Sequence, residues 1–209
     1  MVKRPVRKLF VEGGGNNNSA LKTECRRAVA KLLQTAGFEG RLPRIVPCGG
    51  RRHAYDQFCT AVRNLEEHDL AVLLVDSEAA VAESSPWSHV KQREGDGWDK
   101  PDEASNDHLH FMVQCMEAWF LADREAMREF FGNGYREKAL PPVTGQIENV
   151  SKADLYSKLK AATKDTKAKG AYGKGEHSFK LLARLDPDLV RKASPWAERF
   201  FSTLDALLE

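Results

Sequence analysis

Apolar positions in this chain fall into short unbroken runs that alternate with stretches of helical spacing. VRKLFVE at 6–12, rich in β-branched and aromatic residues and ending at glycines, reads as a first strand. Leu21, Cys25, Val29, Leu32 and Leu33 then recur at helical spacing and predict a helix over 19–38, with Ser19 as N-cap and Gly37 as stop. PRIVPC at 43–48 is a second strand that halts at Gly49 and Gly50. A helix over about 51–67 follows, with Tyr55, Phe58, Cys59, Val62 and Leu65 inward. DLAVLLVD at 69–76 is the clearest strand. Its continuous apolar run predicts burial on both faces, as in a parallel sheet covered by helices.

Strand, helix, strand, helix, strand is a doubly wound α/β layout. Residues 79–107, acidic and interrupted by Pro86, Gly95, Gly97 and Pro101, read as a long loop. LHFMVQC at 109–115 is a fourth strand and MEAWFLADREAMREFF at 116–131 a helix. Beyond Gly132 the character changes. A Pro-containing connection at 140–150 leads to a polar helix over 151–163, a lysine- and glycine-rich loop over 164–176, and two helices near 178–192 and 195–208. The expected organisation is an α/β domain over 1–131 and a helical, lysine-rich extension over 132–209 packed on the same core.

Composition narrows the class. A length of 209 residues with 42% hydrophobic and 30% charged residues is that of a globular protein with a proper core. No apolar run approaches the roughly 18 residues of a membrane span, and the basic N-terminal stretch has too short an apolar run for a signal peptide. A cytoplasmic protein with no membrane partner is expected. Cys25, Cys48, Cys59 and Cys115 form no Cys-x-x-Cys pair, so buried free thiols are expected rather than zinc or redox chemistry.

Net charge is only +2, but it is unevenly spread: 94–107 holds six acids against Lys100, and 151–180 holds eight lysines against three acids. The basic run is a solvated loop or a phosphate-facing surface. GGGNNN at 13–18 is not a dinucleotide fingerprint, since Asn18 stands where the last glycine belongs. Gly13, Gly14 and Asn16 can still form an anion-friendly concavity beside the first helix. Arg51 and Arg52 open a helix against its dipole, which hints at an anion nearby. Lys174 and His177 are further candidate phosphate contacts. His108 and His110 fall at the start of the fourth strand, away from the carboxyl ends, and Trp119 reads as core.

In an open parallel sheet, ligands bind at the carboxyl ends of the strands. Glu12 ends the first strand, Asp76 ends the third, and Glu78 lies two residues on, on the same side if the backbone stays extended. Glu117 follows the fourth strand. Gathered at one edge, these acids repel unless cations join them, and oxygen ligands of this kind suit Mg²⁺ or Mn²⁺.

VEGGG followed by LLVDSE resembles the Toprim domain, the Mg²⁺-dependent catalytic fold of topoisomerases, primases and the overcoming-lysogenisation-defect nucleases. Together with CGGR, MVQCMEAWFLAD and KGEHSF, these segments resemble the domain-of-unknown-function 4276 family over nearly the whole chain. Those are small Toprim-like proteins often encoded beside an SMC/ABC-type ATPase in bacterial defence loci. The resemblance implies a Toprim-like (Rossmann-like), mostly parallel sheet flanked by helices, with a helical C-terminal extension. It implies metal ligands at Glu12, Asp76 and Glu78, with Glu where Toprim enzymes usually have a second Asp. Tyr55, Tyr135, Tyr156 and Tyr172 lack a topoisomerase motif, so hydrolysis fits better than strand passage. Two functions follow. One is a metal-dependent nuclease with Glu12, Asp76, Glu78, Glu117 and Lys174 as catalytic residues, nucleic acid as substrate and an ATPase as partner. The other is a non-catalytic sensor or regulatory subunit of that ATPase. A homo-oligomer is compatible with either.

Overall fold

The computed structural model describes residues 5–142 and 146–209; the basic N-terminal start and the middle of the 140–150 connection lie outside them. Four parallel strands, β1 (Arg7–Val11), β2 (Arg44–Pro47), β3 (Leu70–Asp76) and β4 (Leu109–Met112), form one sheet in the order β2-β1-β3-β4. Strand alternation divides the core in two. Leu9, Val11, Val72, Leu74 and Met112 pack on one face, and Phe10, Leu73, Val75 and Phe111 on the other. All seven residues of β3 are buried, as its apolar run requires.

Helix α1 (Ser19–Leu33) covers the first face; α2 (Arg51–Val62) and α3 (Pro86–Gln92) cover the second. The chain thus runs outward from β1 to β2 along one face and returns to β3 along the other. The loops leaving β1 and β3 diverge, opening a crevice at the carboxyl ends of these adjacent strands. Among the described residues five further α-helices follow: α4 (Arg124–Phe131), α5 (Lys152–Thr163), α6 (Lys174–Leu182), α7 (Pro187–Ala193) and α8 (Pro195–Leu208). Leu155, Tyr172, Phe179 and Phe201 from this part share the buried cluster of α1 with Leu32 and Trp119. The architecture is α/β, with an all-parallel sheet flanked by helices and a helical C-terminal region.

Local chemistry corrects several expected boundaries. Asn18 rather than Ser19 caps α1, its Oδ1 accepting the Leu21 N–H at 2.9 Å. The helix expected over 116–131 breaks into a 3-10 segment, Met116–Leu121, and α4. Asp123 causes the break: one carboxylate oxygen caps α4 at the Ala126 N–H (3.0 Å) and the other accepts from Asp186 N–H (2.9 Å). Similarly, 178–192 is two helices, because α6 already starts at Lys174 and Pro187 opens a new one capped by Asp186. The acidic stretch 79–107 is no plain loop. It contains α3 and buries Trp87 and Trp98 against the second face. All four cysteines are free and buried, and among the described residues no helix is long and apolar enough to cross a membrane.

Candidate metal centre

The crevice between β1 and β3 collects the expected acids. The Glu12 N–H still donates to the Leu74 carbonyl (3.0 Å), so its side chain leaves the sheet at the last ladder position. Gly13 then pairs with Gly49 through two 2.8 Å hydrogen bonds, tying the loops after β1 and β2 together. A Cβ on Gly14 would lie 2.9 Å from Lys22 Cα, and one on Gly49 would lie 2.8 Å from the Gly15 carbonyl oxygen. These two glycines answer to close packing within the protein itself.

Asp76 is the last residue of β3. Its Oδ1 accepts the Met116 N–H at 2.8 Å, while its backbone N–H donates to Glu12 Oε2 at 3.2 Å. Glu78 does not arrive by strand alternation. The chain turns at Glu78, with φ +66°, and its N–H is held by the Gln114 carbonyl at 2.8 Å. The turn brings it in all the same: Glu12, Asp76 and Glu78 each offer an oxygen, all within 4.8 Å of one another. Their side chains are 18%, 7% and 23% exposed.

Three carboxylates this close are held by cations from three helix starts. Arg51, first residue of α2, lies 3.5 Å from Glu12 Oε2 and donates to the Asp76 carbonyl. Lys152, first in α5, sits 2.6 Å from Glu78 Oε2 and 4.0 Å from Asp76 Oδ2. Lys174, first in α6, sits 3.9 Å from that same Asp76 oxygen. Burial still pushes the Asp76 carboxyl up to about 8, with Glu12 and Glu117 adding to the rise. Burial likewise raises Glu12, against the pull of Arg51. A buried acid with one oxygen free of hydrogen bonds, and two carboxylates within reach, matches the donor set of a hard divalent cation.

Glu117 lies outside the group of three. Fully buried in the 3-10 segment, it accepts from the hydroxyls of Tyr156 (2.8 Å), Tyr172 (2.9 Å) and Ser178 (3.2 Å). It acts on the centre through charge rather than as a ready ligand.

The expected phosphate contacts divide. Gly13, Gly14 and Asn16 line a cleft of about 360 Å³ beside Glu12, Asp76 and Lys174. Arg51 does not wait for an external anion: Asp96 takes its guanidinium at 2.6 Å and Trp98 lies beneath it, 4.6 Å from the ring centre. The dipole conflict read from the sequence is answered by the protein's own acids. Arg52 points away, paired with Asp56 at 3.0 Å on the exposed side of α2. His177 turns inward. Its Nδ1 accepts the Gly173 N–H at 3.0 Å and its ring packs edge-on against Phe130 and Phe131, since α6 starts early enough to carry it into the core. His110 is buried beside Arg199; β4 is so short that His110 pairs with Leu74, only two residues before Asp76, so it does not lie at the far end of the sheet as its place at the strand's start suggested.

Sequence reading missed Lys152 as a site residue. Its signal was a cation at a helix start, the same dipole conflict noticed at Arg51. It also missed the hydroxyls around Glu117, which nothing in their spacing marks. The two charged runs do not neutralise each other: among the described residues, Asp96, Asp99 and Asp107 pair with Arg51, Lys91 and Arg199.

No curated protein and no solved structure matches this chain. A family model described as Domain of unknown function (DUF4276) matches residues 11–205, from the end of β1 into α8, and the chain belongs to that family.

Proposed function

We propose that this protein is a Mg²⁺- or Mn²⁺-dependent phosphodiesterase acting on nucleic acid, a Toprim-like nuclease working with an SMC/ABC-type ATPase in anti-phage defence. One observation carries the chemistry: Glu12, Asp76 and Glu78 from two strand ends converge within 4.8 Å beside a cleft. A divalent ion held there supplies Lewis-acid chemistry at a phosphoryl oxygen and a lowered pKa for water. The chain's own residues do the rest. Lys174, over half exposed beside Asp76, balances charge growing on the phosphoryl oxygens. Glu12, Asp76 and Glu78 would hold that ion as carboxylates, and the proton of the attacking water would leave to solvent. The glycine-lined cleft lets the phosphate backbone approach closely. The partner ATPase and the defence setting rest on the family resemblance alone. Incubation of the purified protein with DNA and RNA, with Mg²⁺, with Mn²⁺ and with EDTA, tests the reading; it falls if no cleavage appears with or without the ATPase.

One contact favours the second reading, a non-catalytic regulatory subunit. Lys152 already occupies Glu78 at 2.6 Å, where an ion would compete for the same oxygens. If Lys152 yields to the ion, Lys152→Met should tighten Mn²⁺ binding about tenfold at pH 8.5, where protons compete least with the ion for the carboxylates. Titration calorimetry reads this directly. Unchanged affinity would mean that the ammonium does not stand in the ion's place.

A further inference from the structure

The glycines around the cleft are of two kinds. Gly13, Gly14, Gly15 and Gly49 all have positive φ, and crowding by Phe179, Lys22 or Asn16 accounts for three of them besides. Gly175 is different. It lies in the first turn of α6, has no positive φ, and a Cβ built on it would meet no atom within 4 Å. Glycine is a poorer helix former than alanine, so neither the helix nor its packing asks for it. Gly175 lines the cleft, and the space that its Cβ would enter is open. Leu21 of α1 and Met116 line the same cleft, with Phe179 one turn on from Gly175 in α6: three apolar side chains beside an otherwise charged centre. Asn16 is at the rim. Its Oδ1 is taken by the Gly50 N–H at 2.7 Å, which leaves its amide nitrogen as a donor.

A metal centre alone has no need of this apolar side. We propose that it is a nucleotide subsite, receiving the sugar and base of one unpaired nucleotide whose phosphate lies at Glu12, Asp76 and Glu78. The inference rests on the phosphodiesterase reading and adds a substrate class to it: the strand enters single-stranded. A volume of about 360 Å³ is near the lower end for small-molecule sites, room for one nucleotide unit and too little for a duplex. A base offers an apolar face only when it is unstacked, and packing against side chains of this type tolerates any base. With one side-chain amide at the rim, the subsite selects for unpaired structure rather than for sequence.

Gly175→Leu tests this, because Gly175 lines the cleft and its first added carbon enters open space. Binding is read by fluorescence anisotropy of a labelled short oligothymidylate and of a blunt duplex, with Ca²⁺ in place of Mg²⁺ to hold back cleavage. Wild type should bind the oligothymidylate more tightly than the duplex. Gly175→Leu should weaken that binding about tenfold with Mn²⁺ affinity and melting temperature unchanged. If the leucine lowers the melting temperature, Gly175→Ala replaces it, with a smaller loss expected in the same direction. Equal binding by wild type and a folded Gly175 variant would overturn the subsite. Equal affinity of wild type for duplex and single strand would overturn the unpaired substrate. Displacement of the oligothymidylate by an equal concentration of thymidine monophosphate would overturn a strand as ligand in favour of a free nucleotide. A wild type that binds Mn²⁺ but neither nucleic acid would overturn the phosphodiesterase reading, and the subsite with it.

Discussion

Asp76→Asn is expected to lower metal-dependent cleavage about 10³-fold, the upper range for loss of one key electrostatic group, while leaving the metal-free fold intact. Asparagine keeps the shape and can still accept the Met116 N–H, so the backbone contact that anchors position 76 survives. What is lost is the charge that an ion needs. The sign of the stability change follows from the raised carboxyl. In the unfolded chain an aspartate titrates near 3.9, whereas the folded Asp76 titrates near 8. Between those values the folded state binds a proton that the unfolded state lacks, so this group's contribution falls as pH rises and the cost is fully present above about 8. Asparagine removes that slope. With EDTA present, Asp76→Asn should melt at or above wild type at pH 6 and clearly above it at pH 9. Added Mg²⁺ should reverse the order by raising only the wild-type midpoint. The same proton makes wild-type ion binding tighten from pH 6 to pH 8.5, since the ion must displace it. Thermal melts at the two pH values with and without Mg²⁺ check the stability order, and cleavage assays and Mg²⁺ titrations at pH 6 and 8.5 check the rest. A variant that melts far below wild type in EDTA would show that Asp76 serves as a structural cap.

The parts of this architecture that sequence reveals are those decided by local periodicity. The unbroken run of β3 announced burial on both faces, and Glu12 and Asp76 could be placed at strand ends because a parallel sheet puts its loops there. Glu78 was assigned for a reason that does not hold: i and i+2 share a face only while the backbone is extended, and here the chain turns at φ +66°. The residue reached the centre because Gln114, on the loop after β4, holds its N–H, and that is a non-local contact. Boundaries failed wherever an acid found a better partner far along the chain. Asp123 broke a helix of strong periodicity by serving the backbone N–H groups of Ala126 and of Asp186, the latter 63 residues from Asp123, and no window of sequence contains both. The acidic 79–107 segment looked solvated because its charge hid two tryptophans, while Asp96 was reserved for Arg51. Cations at the first position of α2, α5 and α6 are the most transferable signal. Each opposes its own helix dipole, and each is repaid by the carboxylates of this crevice.

Glu117 is where scaffold and centre meet, and two substitutions separate its roles. Glu117→Ala removes the acceptor shared by Tyr156, Tyr172 and Ser178, while Ser178 keeps the Lys174 carbonyl and its contact with Tyr172. One buried hydroxyl without a partner costs about 1–3 kcal/mol, and a loss of that size in folding stability is expected. For a chain of this size that is a fall in melting temperature on the order of 5 °C. Glu117→Gln keeps the volume and one acceptor oxygen, which can serve Tyr172 and Ser178. Tyr156, being only partly buried, can turn its hydroxyl proton elsewhere. Its stability should therefore lie much nearer wild type. The glutamine does remove a negative charge that, after burial and Glu12, holds the Asp76 carboxyl up. With that charge gone Asp76 ionises at lower pH, and an ion meets less competition from the proton. Mn²⁺ affinity of Glu117→Gln should accordingly persist to lower pH than in wild type. Urea unfolding of both variants and Mn²⁺ titrations from pH 5.5 to 8.5 read the two effects separately. A glutamine variant whose affinity-against-pH curve overlies wild type would confine Glu117 to holding the tyrosines, and a curve displaced to higher pH would make it a metal ligand after all.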